Sequence, residues 1–242
     1  MNRSLPRWFC LAVLATALSA CLGGCATGSS EYTPEGIRHR AEVNQDKAVL
    51  DAWNRIQQTT DKSGTNALLL VDACLVGDLP TVQVLVDKGA NVTAKDDEGY
   101  TALHSAAASG NLKLVKYLVA KGADVLAKDR EGYTVLHAAA SSGNLRLVKY
   151  LVDKGCDPGA TFGNGMTVMH VAAANGNIRL LRYLFSRGGD VRAKDSTGYT
   201  VLHSAAASGK LEAAQYLVSK GADIGGKIDS GMTVLHVAAS SG

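Results

Sequence analysis

A spacing of 33 residues runs through this chain of 242 residues and constrains its fold more than any other feature. A threonine with a histidine three positions later recurs at that spacing: Thr101 and His104, Thr134 and His137, Thr167 and His170, Thr200 and His203, Thr233 and His236. Glycines keep the same step at Gly110, Gly143, Gly176, Gly209 and Gly242. A fixed period of this length, without insertions, predicts a protein built from stacked repeats.

The residues of one period predict two short helices. Thr101 is a hydroxyl N-cap in front of an alanine-rich run, where its side chain can accept from the free N–H groups of the first turn. Gly110 closes that helix as a C-cap. A second helix follows, with an apolar stripe at Leu112, Val115, Leu118 and Val119, and Gly122 ends it.

Two further features of the period are the turns between repeats and the small apolar residues of the first helix. Asp96 and Gly99 form an Asp-x-x-Gly sequence, which suits a turn that needs a positive φ. Ala106 and Ala107 place small side chains where neighbouring helices must approach closely. These alanines explain a chain that is 46% hydrophobic but only 5% aromatic.

The unit from Asp96 to Val125, with its Gly-Tyr-Thr-Ala-Leu-His core, closely resembles the ankyrin repeat. The resemblance implies an all-α solenoid of stacked helix-turn-helix units with short β-hairpin tips. It also implies that each imidazole bonds back to the threonine of its own repeat and across to the next repeat. Partners would bind at the hairpin tips and at the concave face of the first helices.

The repeat domain is expected to span residues 62–242, with five full repeats and a C-terminal half repeat. The first repeat is a divergent N-terminal cap, because Val71 stands where the histidine is expected and the turn at Gly64 lies two residues out of register. At the other end, no second helix follows to cover Leu235 and Val237. Three explanations remain open: a truncated array, a last helix that frays, or a partner that covers it.

The first 20 residues are predicted to be a lipoprotein signal peptide. Arg3 and Arg7 precede an apolar run over residues 8–18, which is too short to span a bilayer but fits an h-region. Small residues then precede Cys21 and, four positions later, Cys25, and both sites resemble the bacterial lipobox. Cys21 is favoured for lipidation and Cys25 remains the alternative; a plain signal peptide or a single-pass anchor would be the simpler interpretation.

Residues 21–33 are predicted to be a lipid-anchored tether and residues 34–60 a helix. Thr33 and Pro34 supply an N-cap and a proline at the first helical position. The helix is expected to cap the first repeat, with a coiled-coil or partner-binding spacer as the alternative. Since neither Leu22 nor Ala26 is an aspartate, an outer-membrane location facing the periplasm is favoured.

No chemistry is predicted for this chain. The formal charge of +3 becomes +1 when Arg3 and Arg7 are removed with the signal peptide, which is not typical of nucleic-acid binding. The five repeated histidines lie about one helix-packing distance apart, too far to share one zinc ion. Cys74 is expected to be a buried core thiol and Cys156 a weak candidate for redox sensing. The sequence therefore predicts no catalytic site, metal, cofactor or small-molecule substrate.

Partner recognition is predicted at positions that differ between repeats, because the residues that recur every 33 positions form the scaffold, which we call the frame. The candidates on the hairpin tips are Tyr100, Tyr133, Phe162, Met166, Tyr199 and Met232. Exposed aromatic and methionine side chains are typical interface anchors. The alternative is that these side chains pack flat on the next tip. Small residues are expected to leave the concave face flat: Ser105, Ala108, Ser109, Ser141, Ser142, Asn175 and Ser208.

The second helices carry a column of basic residues: Lys113, Lys116, Arg146, Lys149, Arg179 and Arg182. This pattern is typical of a solvated helix face, although anionic headgroups or an acidic protein could also meet it. Glu212 and Gln215 interrupt the column in the following repeat.

The sequence thus favours a non-enzymatic bacterial envelope lipoprotein whose ankyrin repeats bind an unidentified protein partner as an adaptor or scaffold. A periplasmic immunity or inhibitor protein that blocks a toxin or an enzyme is the alternative. An enzyme would need a catalytic constellation beyond Gly242.

Overall fold

The computed structural model describes residues 64–241, and these fall into two compact units that divide between Asp124 and Val125. The predicted signal peptide, the two candidate lipidation sites at Cys21 and Cys25, the tether and the helix over 34–60 all lie outside the described residues. The first unit is described over residues 64–124 and the second over residues 125–241. Each unit is built from pairs of short helices.

The first unit contains two helix pairs. Its helices are α1 (Gly64–Val76), α2 (Leu79–Asp87), α3 (Ala102–Ala108) and α4 (Leu112–Ala120). Helix α1 packs on α2 within its pair and on α3 of the next pair. The turn expected at Gly64 is wrong, because Gly64 is the first residue of α1. This first repeat has no capping threonine, and its 13-residue first helix is longer than the 7-residue helix α3.

The second unit contains three helix pairs, a two-stranded sheet and a last helix. In chain order these are α5 (Val135–Ser141), α6 (Leu145–Asp153), β1 (Thr161–Phe162), β2 (Met166–Thr167), α7 (Val168–Asn175), α8 (Ile178–Ser186), α9 (Val201–Ala207), α10 (Leu211–Ser219) and α11 (Val234–Ser241). The first helices pack in series, α5 on α7, α7 on α9 and α9 on α11, while α8 packs on α10. The predicted all-α repeat fold is confirmed.

Short side chains let the first helices pack closely. Ala138, Ala139, Ala172, Ala173 and Ala205 are all buried, which brings successive helix backbones together without large residues between them. Each of α5, α7 and α9 also buries one larger side chain: Leu136, Met169 and Leu202. Burial of such a side chain contributes roughly 1.5–3 kcal/mol, and the repeated burial along the unit makes these contacts its core.

The last helix of the second unit presents an exposed apolar side chain at a position that is buried in the repeats before it. Leu202 in α9 is 1% exposed, whereas Leu235, one period later in α11, is 67% exposed. Val234 and Val237 of the same helix are buried, so the expectation that Val237 is uncovered is wrong. Helix α11 is therefore packed on the side of α9 and open on the side of Leu235.

The turns that connect repeats adopt the geometry expected of Asp-x-x-Gly. The Asp195 carboxylate accepts hydrogen bonds from the backbone N–H groups of Thr197 and Tyr199, both at 2.8 Å. Gly198 closes this turn with a φ of 79°. Among the described tips, only β1 and β2 form strands, paired antiparallel with Phe162 opposite Met166; each other tip is held by a single β-bridge from a lysine to the capping threonine.

We expect Gly198→Ala to destabilise the second unit more than Gly155→Ala. Both glycines have a positive φ, 79° and 96°, so either alanine is strained by about 1–2 kcal/mol. A Cβ at Gly198 would lie 2.9 Å from the carbonyl oxygen of Lys227, whereas a Cβ at Gly155 would meet no atom within 4 Å. The clash should add roughly 1–2 kcal/mol to the loss at Gly198.

The measurement is urea unfolding of the two variants and the parent chain, followed by far-UV circular dichroism. Equal losses of stability in both variants would show that the contact between Gly198 and Lys227 is loose enough to accept a methyl group.

Candidate protein-interaction surface

The repeated threonine and histidine form a closed pair of hydrogen-bonding groups at the start of each first helix from α3 onwards. The imidazole Nδ1 lies 2.7 to 2.9 Å from the threonine Oγ1 in all five repeats. The threonine backbone N–H also donates to Nδ1, at 3.0 to 3.4 Å. In α3, α5 and α9 the histidine N–H donates back to the threonine oxygen. The starts of α3, α5 and α9 are thus capping boxes with histidine in the position usually held by glutamate.

This arrangement decides which imidazole nitrogen carries the proton. Because Nδ1 accepts a backbone N–H, the neutral ring must carry its proton on Nε2. In the second unit, Nε2 of His170 lies 3.2 Å from the carbonyl oxygen of Tyr199 and donates to it. The same ring therefore caps its own helix and joins its repeat to the next one, as the resemblance implied.

Burial holds these rings in the neutral form. His170 and His203 are fully buried. Desolvation lowers the pKa of His170 below 6.5, and the hydrogen bond to Tyr199 and the charge of Asp195 only partly offset it. Desolvation also lowers the pKa of His203, with the charge of Asp195 acting in the opposite direction. A proton on Nδ1 would in addition face the threonine N–H, so these imidazoles are unsuited to proton transfer.

The described residues also bear on the metal and thiol chemistry considered for the sequence. No group of three or more His, Cys, Asp or Glu side chains that could hold a metal ion occurs between residues 64 and 241. The two cysteines of this region, Cys74 and Cys156, are buried and form no disulfide. Burial raises the pKa of the Cys74 thiol to about 12, and the Cys156 thiol donates to the carbonyl oxygen of Val125 at 3.2 Å.

Two of the six candidate recognition residues on the tips are buried. Tyr133 and Phe162 are 8% and 4% exposed, and their rings meet edge to face with centroids 4.9 Å apart. Tyr133 also stacks on His137 at 5.3 Å. Desolvation raises the pKa of the Tyr133 hydroxyl to about 12, although a hydrogen bond with Ser141 opposes it and the Asp129 charge adds to it. For this pair, packing on the next tip is the correct interpretation and display on the surface is wrong.

The other four candidates keep part of their surface in solvent. In the first unit, Tyr100 is half-buried and stacks on His104 at 4.8 Å. In the second unit, Tyr199 and Met166 are half-buried and Met232 is 40% exposed. Partner binding by these side chains stays a prediction, and Met232 presents the most accessible apolar surface among them.

Several serines expected on the flat concave face form hydrogen bonds within their own helices. Ser105 is buried, so its expected exposure is wrong. Ser141 and Ser142 donate their hydroxyls to carbonyls one turn earlier, at 2.8 and 2.7 Å, and Ser109 does the same at 2.8 Å in the first unit. These bonds satisfy carbonyl groups at helix ends. Of the serines in this predicted set, Ser208 is exposed.

A set of asparagines that the sequence reasoning did not single out ties repeats together. Asn177 caps α8 by accepting from the Leu180 N–H at 3.0 Å, and its amide group donates to the Gly143 carbonyl of the preceding repeat at 2.7 Å. In the first unit, Asn111 caps α4 and donates to Gly77 at 2.9 Å. The signal was present in the sequence, because Asn111, Asn144 and Asn177 follow the same 33-residue step.

The second helices of the second unit display basic side chains over aromatic rings. Arg146 and Lys149 on α6 and Arg179 and Arg182 on α8 are all exposed. The Lys149 ammonium lies 5.5 Å from the centre of the Tyr183 ring, and the Arg182 guanidinium lies 5.2 Å from that of Tyr216. We call Arg146, Lys149, Arg179 and Arg182 the basic face.

Comparison with models of known protein families identifies the family of this chain. The family model for ankyrin repeats (3 copies) matches the chain at residues 47–129, 70–162 and 136–228, which together cover more than half of its length. The chain belongs to the ankyrin-repeat family. No curated protein matched the chain. Within residues 64–241, none of the helices of this ankyrin-repeat protein combines the length and apolar character needed to cross a bilayer.

We expect the ankyrin-repeat region to lose stability as the pH falls below about 6.5. Unfolded histidines titrate near 6.5, whereas His170 and His203 have lowered pKa values in the folded chain. Over this range the unfolded chain binds more protons than the folded chain, so acid favours unfolding. Thermal unfolding between pH 7.5 and 5.5 should show a falling Tm, in a range above the titration of ordinary carboxylates.

The control is the double variant His170→Gln, His203→Gln. Its Tm at pH 7.5 should be lower, but its dependence on pH should be weaker than that of the parent. A variant that keeps the full pH dependence would show that other groups are responsible.

Proposed function

We propose that this protein is a non-enzymatic interaction scaffold, held on a bacterial envelope membrane by a lipidated cysteine, that binds a protein partner through its ankyrin repeats. Ankyrin repeats are generally protein–protein interaction modules, and the family membership of this chain rests on most of its length. The lipid anchor, the location and the residues that contact the partner go beyond what family membership implies.

The proposal rests on a difference between two sets of side chains in the second unit: those that recur in each repeat and those that are exposed on the tips. The threonine, histidine and asparagine side chains that repeat every 33 residues are engaged in capping and in bonds to backbone carbonyls. The side chains left in solvent on the tips differ between repeats, with Tyr199 in one and Met232 in the next. A fixed frame with variable exposed positions suits recognition of a protein surface rather than catalysis.

The lipid anchor is supported by the order of features at the start of the sequence. Two arginines, an apolar run over residues 8–18 and the sequence Leu18-Ser19-Ala20-Cys21 follow one another as in a lipoprotein signal peptide. Cys25 is the second candidate for lipidation. Two or more acyl chains hold a protein firmly on a membrane, whereas one chain holds it only marginally. We place the mature protein on the outer membrane, facing the periplasm.

We expect metabolic labelling with palmitate to mark the wild-type chain and to fail in the variant with Cys21→Ser and Cys25→Ser. Each single variant identifies the acylated residue, and loss of label in Cys21→Ser alone is the expected result. Cys10→Ser is the matched control, because Cys10 lies within the predicted signal peptide and should not affect labelling. An unlabelled wild-type chain would disprove the lipid anchor.

We further expect Met232→Ala to weaken capture of the protein partner by the full-length chain after cross-linking in cells. Truncation of a partly exposed anchor side chain typically reduces affinity by about fivefold or more when the side chain is buried by the partner. Val218→Ala is the control, because Val218 on α10 has a similar exposure of 42% but lies on a second helix. Tyr133 is unsuitable for this test, since it is buried and its loss would disturb the tip.

Equal capture by the parent and the Met232→Ala variant would remove this tip from the binding surface. The identity of the captured protein also separates a scaffold from an inhibitor: a housekeeping envelope protein indicates the former, and a toxin or hydrolase the latter.

A further inference from the structure

We propose that the basic face of the second unit binds the anionic headgroups of a lipid bilayer, so that this unit lies on the membrane with the basic face towards it. The basic face lies on the second helices α6 and α8 and contains none of the candidate tip residues.

The charge of this face is positive and little compensated. Helix α8 carries Arg179 and Arg182 and no acidic residue. Helix α6 carries Arg146 and Lys149, with Asp153 as its one acid, and Asp153 lies 4.0 Å from Arg187 at the end of α8. Lys154 and Arg187 follow the two helices directly and add to the positive charge. The sign changes only on α10, where Glu212 replaces the arginine.

Two side chains of the basic face, Lys149 and Arg182, lie over aromatic rings of the next second helix. Lys149 of α6 lies over Tyr183 of α8, and the Arg187 guanidinium lies over the same ring at 5.4 Å. Arg182 in turn lies over Tyr216. Such contacts contribute about 0.5–1 kcal/mol each at exposed sites. They order long side chains that would otherwise lose conformational entropy when they bind.

An apolar residue borders the charges. Phe185 on α8 is 41% exposed, and the Lys220 ammonium lies 5.9 Å from its ring. Aromatic rings beside basic residues are favoured at the boundary between headgroups and acyl chains. Burial of Phe185 in this region would add an apolar contribution to the electrostatic attraction.

A bilayer fits this face better than a folded acidic protein does. The basic residues repeat at i and i+3 on each of two adjacent helices, so they form an array rather than a pocket. Lipids move laterally and can bring an anionic headgroup to any cation, whereas a folded protein would need carboxylates in a matching fixed register. Basic residues near an anionic surface contribute about 1 kcal/mol each, and salt screens the attraction.

The experiment is covalent labelling of lysines in the full-length chain on lipid vesicles, read residue by residue by mass spectrometry. Lys149 and Lys154 report on the basic face, and the exposed Lys194 is the reference within the same molecule. On vesicles of phosphatidylcholine and phosphatidylglycerol at low salt, labelling of Lys149 relative to Lys194 should fall by about fivefold. On phosphatidylcholine alone, or at high salt, the ratio should stay within about twofold of its value in solution.

Charge-reversal variants test whether the basic face is responsible. Arg146→Glu with Arg179→Glu should abolish the protection of Lys149. These two arginines are chosen because the cation–π contacts of the face involve Lys149 and Arg182 instead. Lys128→Glu with Lys227→Glu is the matched control, because it changes the net charge equally at exposed tip positions of the same unit. It should leave the protection in place. A milder pair, Arg146→Gln with Arg179→Gln, serves if the first variant does not fold, and should reduce the protection by at least half.

Equal protection of Lys149 and Lys194, no dependence on anionic lipid, or an equal effect of the two charge-reversed pairs would overturn the proposal. Failure on vesicles together with loss of a cross-linked protein in the Arg146→Glu, Arg179→Glu variant would assign the face to an acidic protein instead. None of these outcomes depends on whether Cys21 or Cys25 is acylated, so failure of the lipid anchor is distinguished by the palmitate labelling.

Discussion

The hydrogen bonds between a threonine hydroxyl, its own backbone N–H and a histidine Nδ1 are the interaction on which the rest of this structure depends. They set the first residue of each first helix from α3 onwards, and in α7 they fix the imidazole so that Nε2 of His170 points to Tyr199 of the following repeat. Burial then keeps the ring neutral, which is the only protonation state that suits both partners. One side chain thereby links local helix formation to packing between repeats.

Part of this architecture could be predicted from the sequence because it arises from local chemistry. Threonine caps and glycines with positive φ depend on residues within one turn of each other, and the period of 33 residues repeats them. The stripe of the second helix was predicted only in part, because α4 buries Leu114 with Val115 and Leu118 and leaves Leu112 and Val119 partly exposed. The turn expected at Gly64 is wrong, because this glycine lies within helix α1.

The exposure of the tip residues and the contacts between repeats were harder to predict than the caps and turns within one repeat. Whether a side chain on a tip faces solvent depends on the residue that the next tip brings against it: Phe162 covers Tyr133, whereas Met232 stays 40% exposed. The asparagine bonds were overlooked because Asn177 suffices as an ordinary N-cap, and its second bond to Gly143 requires knowledge of how repeats approach. The cation–π contacts from Lys149 to Tyr183 and from Arg182 to Tyr216 likewise join residues of neighbouring repeats.

The bonds from one repeat to the next within the second unit have a consequence for the evolution of such a chain. His170 donates to the main-chain oxygen of Tyr199, and Asn177 donates to that of Gly143, so neither bond requires a particular side chain on the other repeat. A repeat that keeps the frame can therefore follow any other repeat that keeps it. Duplication, loss or exchange of whole 33-residue segments would preserve every such bond, and new combinations of tips and helix faces could arise by recombination without compensating substitutions.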